Sequence, residues 1–223
     1  MLELKNLRFA YGDKTIFEKL DLSVSPNVVS GFLGRNGIGK TTLFKILSGE
    51  LDALEGSIQW NGMDLKSTDV GILKTDPFFY PYMRGSEYLE LVLGSLNEKA
   101  SRYANLLGLP LDELIDNYST GMRKKIAFIA IICQGRPVII LDEPFNGVDL
   151  EGNEIMKAIL KREQEGRVII CSSHILEALT DCAENILFIE EGYVLHHYEK
   201  TQFDVLRGHI RQIIAQKLED IPS

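Results

Sequence analysis

Cysteine is scarce in this chain. Three residues, Cys133, Cys171 and Cys182, stand among 223, odd in number and without CxxC spacing. That argues against a disulfide framework and predicts a reduced, cytosolic compartment, with the thiols serving as small core residues. Long hydrophobic runs are missing as well. IAFIAIIC, Ile126 to Cys133, is too short to span a membrane, and the alternating MLELKNLRF carries no basic and apolar leader, so neither a membrane span nor a signal peptide is expected. Positive charge is in deficit: 24 Lys+Arg face 32 Asp+Glu, a formal net charge of −8 that repels a polyanion and disfavours nucleic acid as the main partner. No internal repeat or low-complexity segment stands out. What remains, 45% hydrophobic and 25% charged, is the composition of a globular protein able to bury one substantial core or a core with a subdomain.

Along the chain, LELKNLRFAY and DLSVSPNVVSGFL read as strands, with turn chemistry at Gly12-Asp13 and Pro26-Asn27. A Gly-rich loop then opens a helix, GKTTLFKILSGE, with Leu43, Ile46 and Leu47 as its apolar stripe and Gly49 as its end. GSIQWNG reads as a further short strand. The stretch from about Asp76 to Gln134 changes character: aromatic at DPFFYPY, then helical, with breaks at Gly85, Gly94 and Pro110, as expected of a helical insertion into an α/β core. PVIILDEP, a helix over GNEIMKAILKREQEG, and RVIICSSH predict a parallel βαβ crossover. ENILFIEEGYVLHHYE reads as a hairpin turning at Glu191-Gly192. The tail places Ile210, Ile213, Ile214 and Leu218 on one helical face, fit either for the protein's own core or for a partner.

Two motifs carry chemistry. GRNGIGKT fits G-x-x-x-x-G-K-[ST] between a strand and a helix, so Gly34, Arg35, Asn36, Gly37, Ile38, Gly39, Lys40, Thr41 and Thr42 form a candidate phosphate cradle. Lys40 would bridge the outer phosphates and the Thr41 hydroxyl would ligate Mg²⁺. In VIILDEP, four apolar residues suit a strand buried on both faces, and Asp142 emerges at its carboxyl end, placed to hold Mg²⁺ through water. Glu143 has no obvious partner in sequence and is the candidate for polarising the attacking water. A third stretch, YSTGMRKK, is odd. Ser119 can cap a helix there, yet Arg123, Lys124 and Lys125 crowd the helix end where carboxylates are favoured.

With YSTGM about twenty residues before LDEP, FNGVDL directly after it and His174 closing RVIICSS, the chain resembles the nucleotide-binding subunit of ATP-binding cassette (ABC) transporters from Tyr11 to about Val194. The resemblance implies an α/β P-loop NTPase with a mainly parallel sheet, an N-terminal antiparallel part and an inserted helical subdomain: one domain over 1–223, with its core at approximately 1–75 and 136–223 and helices at approximately 76–135. It implies an ATPase using ATP and Mg²⁺ as a head-to-tail homodimer. Ser119, Gly121 and the cations behind them would meet the γ-phosphate held by the opposite subunit. Tyr11 would stack on adenine, with core packing as the alternative. Asp149 resembles the residue that communicates across the dimer seam, and His174 the switch histidine at the γ-phosphate. His196, His197 and His209 have no such support and read as surface residues. An integral membrane permease on another polypeptide would be the partner, placing this chain on the cytoplasmic face of the membrane.

Two positions depart from the family pattern. Where a glutamine usually reaches the metal and the water, this chain has Thr75, whose shorter hydroxyl implies contact through water or transfer of the role to Asp76. Thr120 and Met122 replace Gly and Gln in the signature, which then resembles the YSxGM form that serves export-type permeases. PFFYPYM, Pro77 to Met83, would offer apolar area to such a permease or pack in the helical subdomain. The alternative function is a soluble regulatory cassette ATPase without transport. A P-loop GTPase or small-molecule kinase would leave YSTGM and His174 unexplained, and there is no NKxD motif.

Overall fold

The computed structural model describes residues 1–35, 37–190 and 195–219; Asn36 and the expected turn at Glu191-Gly192 lie outside the described residues. Alternation sets the first layer. In β1, Leu2–Tyr11, the side chains of Leu2, Leu4, Leu7 and Phe9 are buried, and β2, Lys14–Val24, pairs antiparallel to it across a turn at Gly12, φ 55. After β3, Val28–Leu33, comes α1, Lys40–Leu47, which buries Leu43, Ile46 and Leu47 as its periodicity predicts and ends before Gly49, φ 76. β4, Glu55–Trp60, and β5, Met63–Asp64, complete a four-stranded antiparallel sheet of order β2-β1-β4-β5.

β6, Val70–Leu73, is a strand that the sequence pattern does not reveal, because four residues are too few for a period to emerge. Three helices follow: α2, Gly85–Leu93, α3, Glu98–Leu106, and α4, Thr120–Cys133. The chain then runs β7, Val138–Leu141, α5, Leu150–Glu163, β8, Val168–Ser173, α6, Leu176–Thr180, β9, Asn185–Ile189, β10, Leu195–Glu199, and α7, Phe203–Glu219. The six-stranded sheet has order β10-β9-β3-β8-β7-β6, parallel except where β10 pairs antiparallel with β9. The expected βαβ crossover is β7-α5-β8.

Both faces of that sheet are covered, and the period of two divides its residues between two cores. Ile139, Leu141, Ile169 and Cys171 face the helices, while Val138, Ile140, Val168 and Ile170 face α1 and the antiparallel sheet. Two expectations change. Gly85 does not break a helix but starts α2, where a Cβ would lie 2.4 Å from the Tyr118 hydroxyl. On α4 the spacing of Ile126, Ile129, Ala130 and Cys133 predicts one apolar stripe, but the buried surface is nearly a full circumference: Ile126 through Ala130 and Ile132 are all buried, because the helix is enclosed between α2, α3 and the sheet.

Topology also decides where function can sit. β3, β8, β7 and β6 are consecutive parallel neighbours, in register at Leu33 with Ser173, Leu141 with Cys171, and Leu73 with Leu141. Neighbouring strands lie about 4.8 Å apart. Four chain segments, beginning at Gly34, His174, Asp142 and Lys74, therefore leave the sheet side by side at its carboxyl edge, where open α/β sheets bind ligands.

Candidate functional site

A cleft of about 380 Å³ opens at that edge, lined by Ile16, Arg35, Gly37, Gly39, Lys40, Thr41, Thr42, Thr75, Asp142, Glu143, Asn146 and His174. The loop entering α1 supplies its floor. Gly37 and Gly39 take φ 82 and 107, backbone that a residue with a Cβ adopts only at a cost, and Gly39 precedes the first turn of a helix whose N–H groups have no partners of their own. Gly34 is buried and Ile38 packs on the core behind the loop. Lys40 is buried, and its Nζ donates to the carbonyls of Gly34 and Arg35. Burial pushes the Lys40 pKa down, against the pull of the nearby Glu143 and Asp142 carboxylates.

Asp142 is the hub. Its Oδ2 accepts from the Thr75 hydroxyl at 2.9 Å and the Thr41 hydroxyl at 3.3 Å, and its Oδ1 accepts from Ser172 at 2.6 Å. The three hydroxyls come from three different loops or strands, so this carboxylate ties the edge together. Thr75, expected to act on the metal through water, hydrogen-bonds directly to the Asp142 carboxylate. The donor set of carboxylate and hydroxyl oxygens is hard and fits Mg²⁺, which commonly takes one or two carboxylates and fills its shell with phosphate and water oxygens.

Glu143 is not the partnerless carboxylate that its sequence context suggests. It is buried; Oε1 lies 2.9 Å from Nδ1 of His174, and Oε2 accepts from the Asn146 amide at 3.2 Å. Its backbone N–H donates to Ser172 Oγ at 3.1 Å, and φ is 51, a left-handed conformation that a non-glycine residue holds only where its surroundings impose it. Ser172 thus fixes both acidic residues, one by donating and one by accepting.

Each of the three cations of the signature helix has a partner within the chain. Lys124 is buried and its Nζ donates to the Thr75 carbonyl at 2.7 Å and the Glu143 carbonyl at 3.2 Å, clamping the two loops on either side of Asp142. Burial pushes its pKa down, opposed by Asp76, Asp142 and Glu143. Lys125 pairs with Asp149 at 2.5 Å, and that hydrogen bond holds the Asp149 carboxyl below its usual range. Arg123 donates to the Asp116 carbonyl at 3.0 Å. The partners of Lys124 and Lys125 are brought near only by folding, which no local pattern of sequence encodes, whereas that of Arg123 lies seven residues before it.

Ser119 caps α4 as expected, accepting from the Met122 N–H at 3.2 Å, and is itself exposed. Gly121 is required within its own chain: a Cβ there would come within 2.7 Å of the Gly147 carbonyl. Ser119, Gly121 and Asp149 do not line the cleft, and neither does Tyr11, half exposed at 46% with its ring edge-on to Phe9 at 4.9 Å. Sequence reasoning missed Ser172, Asn146, Ile16 and the clamp by Lys124. Ser172 stands two residues before His174 in RVIICSSH, which was the available signal. The reading of PFFYPYM divides: Phe79 packs on Tyr88 with ring centroids 4.9 Å apart, whereas Phe78, Tyr80 and Tyr82 are exposed.

Comparison with known proteins places this geometry. Residues 17–146 match the family model described as ABC transporter. The chain is 29% identical to the bacitracin transport ATP-binding protein BcrA of Enterococcus faecalis, over 97% of this chain and 78% of that protein. It is 31% identical to the lantibiotic transport ATP-binding protein SrtF of Streptococcus pyogenes, over 87% and 89% respectively. The fold is that of cbiO1 from Clostridium perfringens, described as part of the ABC transporter complex cbiONQ, with a TM-score of 0.77 at 22% identity, covering 95% of this chain and 93% of that one.

Proposed function

Since the chain belongs to the ABC transporter family of ATP-binding proteins, we propose that it is the ATP-hydrolysing subunit of a transporter whose membrane-spanning permease is a separate polypeptide. The convergence of the Thr41, Thr75 and Ser172 hydroxyls on Asp142, beside the Glu143–His174 pair and beneath the Gly34–Thr42 loop, carries this reading. In it, the loop N–H groups and the α1 dipole cradle the ATP phosphates, and Lys40 exchanges its loop carbonyls for the outer phosphates. Thr41 and Asp142 would hold Mg²⁺, with Thr75 positioning the Asp142 carboxylate; the ion supplies charge neutralisation at the phosphates. Glu143 accepts a proton from the water that attacks the γ-phosphorus as the bond to the ADP oxygen breaks. His174 orients Glu143 and contacts the transferred group.

We assign Tyr11 to the adenine, and Ser119 and Gly121 to the γ-phosphate of a second copy stacked head to tail, with Asp149 at the seam. Ser119 supports this by being exposed at the start of a fourteen-residue helix. In this reading 1–75 and 136–223 form the core and 76–135 the helical subdomain, whose exposed Phe78, Tyr80 and Tyr82 face the permease. The bacitracin and lantibiotic transport named for the two relatives supports a peptide-antibiotic cargo moved by an export-type permease. Docked on such a permease, the chain would sit peripherally on the cytoplasmic face of the membrane; among the described residues no helix is long and apolar enough to cross it. The test is purification of the tagged chain from gently solubilised native membranes. Recovery of a multi-span membrane protein in stoichiometric amount is expected; recovery from the soluble fraction alone would contradict transport and leave a regulatory ATPase.

A further inference from the structure

Glu190, His196 and His209 meet where β9, β10 and α7 come together, on the side of β9 away from the Mg²⁺-type donors but next to the strand that leads into the P-loop, since β9 pairs with β3 at Phe188 and Leu33. Sequence reading placed the two histidines on the surface, yet both are half-buried, with their rings 5.0 Å apart and crossed at 88°, and each packs near Phe188. His196 is brought there by the β9–β10 register, which sets it opposite Phe188, two residues before Glu190. One ligand atom from each of the three residues lies within 4.8 Å of the others.

The geometry around Glu190 Oε1 does not suit a direct hydrogen bond. His209 Nε2 approaches it to 2.8 Å and His196 Nε2 to 3.5 Å, yet Oε1, shielded from solvent, receives no hydrogen bond among the described residues. Both ring nitrogens therefore come close without pointing an N–H at it. That is how ligands of a common ion are disposed: with metal bonds of about 2.0–2.1 Å, neighbouring donor atoms stand about 3 Å apart while their lone pairs aim at the ion, not at one another.

Tyr198 supplies the supporting contact. Its hydroxyl lies 2.6 Å from Nδ1 of His209, so Nδ1–H can donate to it and leave the Nε2 lone pair free, the arrangement that orients metal-bound imidazoles. We infer that Glu190, His196 and His209 form a binding site for a divalent transition ion, with Zn²⁺ the best match to two imidazoles and one carboxylate. A fourth position is left for water. These three ligands come from three separate elements, so the ion fastens α7 to the β9–β10 edge. α7 in turn lines an apolar cleft of about 670 Å³ whose opposite wall includes His174, Leu176 and Gly34, so the fastening is continuous with the nucleotide end of the molecule.

Zn²⁺ is titrated calorimetrically into chelator-treated, nucleotide-free protein, and Co²⁺ is added separately to read the visible bands of a low-symmetry site. One ion per chain is expected, with the Co²⁺ bands present. His209→Gln and Glu190→Gln should abolish both signals, Tyr198→Phe should weaken binding by about 10–100-fold, and His197→Gln, on the same strand, should leave it intact. Failure of the wild-type protein to take up either ion, or uptake that survives His209→Gln and Glu190→Gln together, would overturn the site and leave the cluster as a polar contact between α7 and the sheet.

Discussion

Asp142 shows how single residues acquire their roles here. A lone carboxylate after an apolar strand is ambiguous, and what defines it is the set of three hydroxyls that folding brings to it. Thr75 belongs to that set because its short side chain ends at the Asp142 carboxylate; a longer amide would pass it and reach into the cleft. Thr75→Gln should therefore change ATP turnover, raising the basal rate or its stimulation by the permease. An unchanged rate in both conditions would show that Thr75 does not limit the site. The P-loop, Asp142 and His174 were legible because they follow strands at fixed offsets. The partners of Glu143 were not: His174 lies thirty-one residues away in sequence, and a hydrogen bond of that range leaves no local mark. The same holds for His209, whose burial depends on where α7 docks.

At the scale of elements, strands and helices were readable where a period of two or 3.6 ran long enough, as in β1 and α1, and were lost where it did not, as in β6; the run DLSVSPNVVSGFL covers only the end of β2 before β3, so the first part of β2 went unread. The three cations at the start of α4 pointed outward in sequence and inward in structure, since a helix enclosed on nearly every side must satisfy its charges within the fold. A second such anchor joins α3 to α5. Burial disfavours ionisation of Glu163, but hydrogen bonds from Lys99, at 2.5 Å, and Tyr103, at 2.6 Å, outweigh it, with Arg167 at 3.3 Å adding to them, and hold the carboxyl below its usual value of 4.5. A lowered folded-state pKa stabilises the protein above the unfolded value, and that stability is lost as pH falls through the folded one. Glu163→Gln should thus cost about 1.5–2 kcal/mol at neutral pH, the lower part of the range for charged hydrogen bonds because the Lys99 side is half exposed. In urea unfolding the gap from wild type should narrow as pH falls below the ordinary carboxylate value and close as it passes through the lowered folded-state one; a gap independent of pH would show that Glu163 is not ionised in the fold.

For the whole molecule, the order of strands does more than any one motif. Because β3, β8, β7 and β6 are parallel neighbours, residues as distant as Gly37 and His174 reach one cleft, and the sequence could disclose this only through its resemblance to a family with that topology. Ser119, Gly121 and Asp149 do not line that cleft, and in the proposed function they are half of a site completed by a second copy. The central claim is that the cleft hydrolyses ATP with Glu143 as the base. The most direct test is the steady-state rate of Mg-ATP hydrolysis by Glu143→Gln, whose amide keeps the contacts to His174 and Asn146 within reach but cannot accept the proton. A fall of about 10²-fold or more, with ATP still bound, is the predicted result; turnover at the wild-type rate would contradict it.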